Sequence, residues 1–364
     1  MKTTLLFLGL MLTGCSTLQV NWTNGYEPVP FNGADRTGMD SDTIPDPIGS
    51  TTGYLAGSPW MIPGGWLIPT TRGRLVVLDT SDLSFGSELR LPGSMDHPGL
   101  MDGPVWWGAG AKNGTGWVAS VDLRTGRITG KAELPVPVSP ACQDTKMIVL
   151  FSDDQRLTAI DKQTLKTLWR TWISPPDRWV WAGLPDSTAL TAITRLGKVC
   201  RINRETGRSV LTTQLPDTIE QVLWQSGDTL VYSGPGNRIG IVVGSAKPVK
   251  SPGHAALPSG RLIRSGSYLT GINPSGAIIR LNLHTWELTR IAGTDPSVEP
   301  VTVTTTGLIL SGTGPFLIVT DDQKPGSRHK VQLPGRPVSP VIPAGRYRVV
   351  QLSSQEWIVL KEAP

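Results

Sequence analysis

The side chains of this 364-residue chain that could do chemistry are few, and their spacing offers little for a reaction to use. The four histidines, His97, His254, His284 and His329, are at least 30 residues apart, never at the short intervals that metal ligands keep. Two carboxylate pairs, Asp153-Asp154 and Asp321-Asp322, would suit a general acid and base. Both lie between apolar runs, where Asp is favoured because its side chain hydrogen-bonds to a turn backbone. Gly234-Pro235-Gly236-Asn237 reads as a turn, not a phosphate loop, since no helical pattern follows it. Of three cysteines, Cys15 closes an apolar leader, and Cys142 and Cys200 fall in different sequence units. Two free thiols are therefore expected over a disulfide, whose geometry is demanding. The residues predict no catalytic group, no metal and no cofactor.

Binding chemistry is better represented. The stretch from Arg170 to Trp181 places three Trp and two Arg around a Pro-Pro break, and Trp and Arg are enriched at interface hot spots. Trp172, Arg178, Trp179 and Trp181 are the candidate partner-binding residues. Trp179 and Trp181 stand two apart, on one face of an expected strand, and the other reading of that pair is packing between sheets, where large aromatics usually go. Trp106-Trp107 carries the same two readings. Net charge is +5 for the whole chain and +8 for residues 57–364, since Lys2 and a net −4 over residues 20–56 lie outside them. Such a surface suits an anionic partner or none. Without a stripe of Lys and Arg interleaved with aromatics, nucleic acid is not expected.

The elements that must position these residues are set by a recurring phrase: an apolar pair, Asp or Asn, two residues, then Thr-Gly or its remnant. It is clearest at Val121-Asp122-Leu123-Arg124-Thr125-Gly126 and Ile202-Asn203-Arg204-Glu205-Thr206-Gly207, with weaker copies at Asp79, Asp161 and Asn282. Each predicts a β-hairpin, the Asx and Gly supplying the turn's hydrogen bonds and its φ > 0 position. With degenerate equivalents near Gly244, Asp321 and Lys361, the phrase recurs about every 40 residues, the length of a four-stranded propeller blade. The expected fold is all-β: one β-propeller of four-stranded blades over residues 57–364, with eight blades preferred and seven the alternative. The last unit is one strand short. A segment from residues 17–56, with Gln19 to Trp22 favoured, is expected to complete it and close the ring.

Ahead of the ring, Lys2 precedes an apolar run too short to span a bilayer, the pattern of a secretory signal over residues 1–14. The run ends Leu12-Thr13-Gly14-Cys15, which resembles the lipobox of bacterial lipoproteins. The resemblance implies cleavage before Cys15 and acylation of that residue. Ser16, where Asp is absent, implies export to the outer membrane, with the protein facing the periplasm; surface exposure stays open. Residues 15–56 are then expected to serve as lipidated terminus, tether and closing strand. As a flexible coil, the tether over residues 20–56 would span about 30–35 Å.

The repeat phrase resembles that of quinoprotein-like eight-bladed propellers, whose pattern ends in a Trp that docks on the next blade. Ala159-Ile160-Asp161-Lys162-Gln163-Thr164-Leu165 leading to Trp169 follows it, with Leu165 where Gly is usual; the matching positions elsewhere are Gly130, Leu211 and Arg290. Quinone-dependent dehydrogenases with this ring add a vicinal Cys pair and calcium ligands, and neither Cys142 nor Cys200 has a Cys neighbour. Lipobox, tether and ring together resemble the lipoprotein propeller subunit of the bacterial β-barrel assembly machinery. That resemblance implies a non-catalytic scaffold binding protein partners in the cell envelope. A component of a secretion, conjugation or pilus apparatus is one alternative, and a quinoprotein-like enzyme or small-ligand binder using the axial funnel is the other.

Overall fold

The structure, a computed structural model, describes residues 18, 29–30 and 46–50 and most of 53–361; short stretches within that span (82, 84, 185–187, 227–228, 236–237, 244–246, 250–261, 273–276, 294–298, 304–307, 312–313, 321–327, 340 and 345–346) are not described. The described residues contain no helix and form eight antiparallel sheets. Apart from two strands supplied by the N-terminal segment, each sheet lies within one unit of the repeat. The third is built from Val138–Gln143, Met147–Ser152, Arg156–Asp161 and Thr167–Trp172, paired in that order. The fourth follows with Trp179–Gly183, Ala189–Thr194, Lys198–Asn203 and Ser209–Gln214. Middle strands are covered on both faces, as Ala189–Thr194 shows by burying every residue, so they read as unbroken apolar runs. Outer strands alternate, as Arg127–Leu134 does.

The phrase builds the turn between the third and fourth strands, and its parts are used alike in each copy. The Asx carboxyl or amide oxygen accepts the N–H two residues on at Asp79, Asp122, Asp161, Asn203 and Asn282. For Asp161 this, with the Thr164 N–H and hydroxyl, holds the carboxyl below its ordinary value. The next residue's N–H donates to a carbonyl in the first hairpin of the same sheet, as Arg204 does to Thr188 and Lys162 to Lys146. The fifth residue is left-handed in all five copies, Leu83, Gly126, Leu165, Gly207 and Trp286, with φ from 57° to 69°. Three of the five are not Gly, so the turn's own hydrogen bonds hold side chains in a conformation that L-residues otherwise avoid.

Neighbouring sheets then lock onto these turns. Trp169, on the outer strand of the third sheet, donates its indole N–H to Arg204 O at 2.6 Å, and Thr171 Oγ1 donates to Gly207 O at 2.5 Å. The Trp169 ring lies so near Gly207 that an added Cβ would stand 2.8 Å from it. Arg204 reaches back to Asp144 of the third sheet, and Lys162 reaches back to Asp102 of the second at 2.6 Å. Trp169 thus docks on the next sheet as the repeat pattern implies. One sheet earlier the sizes are exchanged: Leu165 fills the turn position and Gly130 faces it.

The closing strand differs from expectation. It comes from the predicted segment but is Asp46–Ser50, antiparallel to Glu356–Lys361 in the last sheet; Gln19 to Trp22 lies outside the described residues. The strand is imposed by the open edge it pairs with, because Asp-Pro-Ile-Gly-Ser has no strand pattern of its own. A fifth short strand, Val29–Pro30, edges the first sheet. Fully buried Gln351 fastens the following chain: its Nε2 donates to Gly53 O at 2.9 Å and its Oε1 accepts Leu55 N–H at 3.1 Å.

Gln351→Ala should lower unfolding stability by about 1–2 kcal/mol, because it removes the buried bond to Gly53 O and the half-buried bond from Leu55 N–H; chemical denaturation measures it. Gly207→Ala should cost more than the ~1–2 kcal/mol of a left-handed L-residue, and the excess should vanish in a Trp169→Ala background, which a double-mutant cycle reads directly.

Candidate functional site

The four candidate residues separate into two kinds. Trp172 closes the outer strand of the third sheet and is 56% exposed; Arg178 is exposed too. Trp179 and Trp181 are core residues at 7% and 2%, and they do not share a face. Trp179 pairs with Thr194 and Trp181 with Ile193, so Val180 is a bulge residue that turns the two rings apart. Trp179 packs toward the third sheet with Trp169 and Cys200, and Trp181 packs toward the fifth with Tyr232 and Leu230. Trp106 and Trp107 are likewise buried, in different clusters.

Between these residues the chain makes a connection fixed by one buried carboxylate. Asp177 is 1% exposed, accepts the N–H of Arg178 at 2.9 Å and of Leu196 at 3.0 Å, and lies 3.4 Å from Lys198 Nζ. It ties the connection to the hairpin of the fourth sheet and so sets where Arg178 leaves the surface. Nothing in the sequence marks Asp177 as buried; the Pro-Pro before it reads only as a break.

Arg178 opens onto a cavity of about 590 Å³ where the third, fourth and fifth sheets meet. Its walls come from the inner strands and loops at one end of those sheets: Ser139, Phe151, Asp153 and Arg156 of the third, Pro176, Arg178, Trp179 and Val180 of the fourth, and Ile219 to Val222 of the fifth. Arg156 is directly opposite Trp172 in the strand pair, so the exposed ring stands beside a cavity wall. Arg156 also pairs with Asp154 at 3.3 Å. The buried indole N–H of Trp179 has no hydrogen-bond partner among the described residues, an uncommon state for a tryptophan. Further along the same two sheets, Leu168 of one outer strand and Val210 and Leu211 of the other are exposed apolar residues.

The remaining chemical candidates stay apart. His97 Nδ1 accepts a turn N–H from Gly99, His284 meets Ser267 Oγ at 3.1 Å, His329 is on strand Arg328–Gln332, and His254 lies outside the described residues. Among the described residues no three His, Cys, Asp or Glu side chains converge. Asp153 and Asp154 form a hairpin turn; Asp321, Asp322 and Cys15 lie outside the described residues. Cys142 and Cys200 are free thiols. Burial pushes Cys142 up to about 12 despite the nearby Arg204, and burial raises Cys200 as well.

No protein-family model matches the chain, and no curated protein matches it in sequence. Solved structures do resemble it in fold. BamB from Moraxella catarrhalis is 12% identical, with 87% of this chain and all of that chain covered at a TM-score of 0.61. The computationally designed Ika8 protein is 11% identical over 86% of this chain and 98% of its own, at 0.63. The dihydro-heme d1 dehydrogenase NirN, solved with DHE, is 12% identical over 80% of this chain and 72% of its own, at 0.58. The chain is an all-β protein with the propeller fold of these neighbours.

Since the thiolate is the reacting species, both cysteines should resist iodoacetamide at pH 8 in the folded protein and alkylate once it is unfolded, as mass spectrometry of the two peptides would report.

Proposed function

We propose that this protein is a non-catalytic, lipid-anchored scaffold of the outer membrane that binds protein partners of an envelope assembly complex, the assembly of outer-membrane β-barrels being the favoured setting. The observation that carries the reading is that exposed Arg178 lines the cavity and exposed Trp172 stands opposite Arg156, another residue of its wall. A large rigid aromatic and a guanidinium beside a concave wall are the features that dominate interface energies. Asp177 holds Arg178 in place through its backbone N–H, which leaves the guanidinium to the surface. The end-to-end likeness to BamB and the lipobox ending in Cys15 support the setting. On this reading Cys15 is the acylated residue and the ring faces the periplasm.

Trp179 and Trp181 leave the partner-binding set and serve the packing beneath it. A second reading has one observation in its favour: the cavity is large enough for a small ligand, in a fold that also carries an enzyme, NirN. Arg156 and Arg178 would then favour an anionic group.

Trp172→Ala with Arg178→Ala should reduce recovery of the partner at least about tenfold, the scale of losing a hot spot, with unfolding behaviour unchanged. The measurement is mild-detergent co-purification of the acylated protein from cells, with mass spectrometry of what accompanies it. Recovery of a barrel-assembly core subunit supports the favoured setting, and recovery of secretin, pilus or conjugation components moves the scaffold to another machine. Equal recovery by the double variant would remove this surface, and a bound small molecule without protein would favour the ligand reading.

A further inference from the structure

Leu18 is docked on the ring, eleven residues before the first described strand, Val29–Pro30. Its side chain is 2% exposed and packs in the core cluster of the first and second sheets with Trp106, Trp117 and Leu123, and its N–H donates to Gly126 O at 3.0 Å. It occupies the seat beside the second sheet's turn that Trp169 takes beside the fourth's. A Cβ on Gly126 would collide with the Leu18 backbone, so the left-handed Gly is what admits it.

This placement changes what the stretch after it can do. A tether over residues 20–56 was expected to separate ring from anchor by about 30–35 Å. Instead, the ring holds the chain on both sides of residues 19–45, at Leu18 and at Asp46–Ser50. Leu18 is three steps along the chain from Cys15, and a fully extended chain spans at most about 3.3–3.6 Å per residue, so Cys15 can be no more than about 11 Å from Leu18, which sits on the turn at Gly126.

We infer that the turn end of the second sheet, around Arg124 to Arg127, rests against the lipid surface in which Cys15 is anchored. The inference rests on the acylation of Cys15 proposed above. Several acyl chains fix that residue in the interface, and the docked Leu18 passes the constraint to the ring. Exposed Arg124 and Arg127 flank the docking point; Arg124 pairs with Asp122, leaving one net positive charge to meet headgroup phosphates. The cavity is formed at the opposite end of the strands, where the hairpin of Asp153 and the connection of Arg178 lie, so the orientation turns it away from the bilayer.

The test places the photo-crosslinker p-benzoylphenylalanine at Arg124 or at Lys112, opposite ends of one hairpin about 25 Å apart for strands of eight residues. The full acylated protein is reconstituted in vesicles of phosphatidylethanolamine and phosphatidylglycerol, and lipid adducts are quantified by mass. Position 124 should give several-fold more adduct than position 112. Leu18→Asp, or a Gly-Ser segment inserted after Ser16 that leaves Leu18 seated, should bring the two toward parity. Equal yields from acylated wild-type protein, or an excess at 124 that survives both changes, would overturn the orientation while leaving the anchor intact. An N-terminal peptide without acyl mass on Cys15 would overturn the anchor reading and the orientation with it.

Discussion

The five described copies of the turn phrase bring their fifth residue into the left-handed region, and at Gly126, Leu165 and Gly207 a part of the chain outside that sheet sits against the turn. This contact couples local chemistry to global shape. The Asx side chain and the i+4 backbone bond shape each turn, and the neighbour then reads that shape: Trp169 on Gly207, Leu165 against Gly130, Leu18 on Gly126. Large and small residues exchange places from one seat to the next, which keeps the spacing between sheets filled at native density. The back-reaching pairs Lys162 to Asp102 and Arg204 to Asp144 repeat the same link in charge. Both pairs are partly buried, so the cost of desolvating their charges offsets much of the attraction, and the apolar seats carry most of the energy.

A ring locked in this way presents its loops with little motion, which is what a binding surface gains from preorganisation. Trp172 ends the strand whose Trp169 and Thr171 bond to the fourth sheet, so the exposed ring is one residue from Thr171 and three from Trp169 in the buried lock. Arg178 is held by Asp177, whose carboxylate also secures the neighbouring hairpin. Surface and core are thus the same elements seen from two sides, and the tryptophans that crowd this stretch divide between them.

Much of this was legible in the sequence. The phrase announces its own turns because Asx, Thr and Gly act locally, and the period of about 40 residues follows from four short strands and their connections. What was hidden depends on distant partners. Asp46–Ser50 contains Pro and Gly and becomes a strand only because Glu356–Lys361 offers an edge. Leu18 looks like any apolar residue after a leader, and only the vacant seat at Gly126 gives it a place. The two faces of Trp179 and Trp181 follow from a bulge at Val180, and one inserted residue cannot be seen in a spacing of two. Asp177 is hidden for the reverse reason: carboxylates are expected outside unless paired, and its partners, Leu196 and Lys198, are one hairpin away.

Native-state hydrogen exchange tests the interlock most directly. The amides of Leu165 and Gly207, although in turns, should exchange as slowly as those of the strands they join, and Trp169→Ala should release Gly207 and Arg204 while leaving Leu165 protected. Fast exchange at Gly207 in the unaltered protein, or rates there that ignore the loss of Trp169, would contradict the claim that each sheet is held by the one before it.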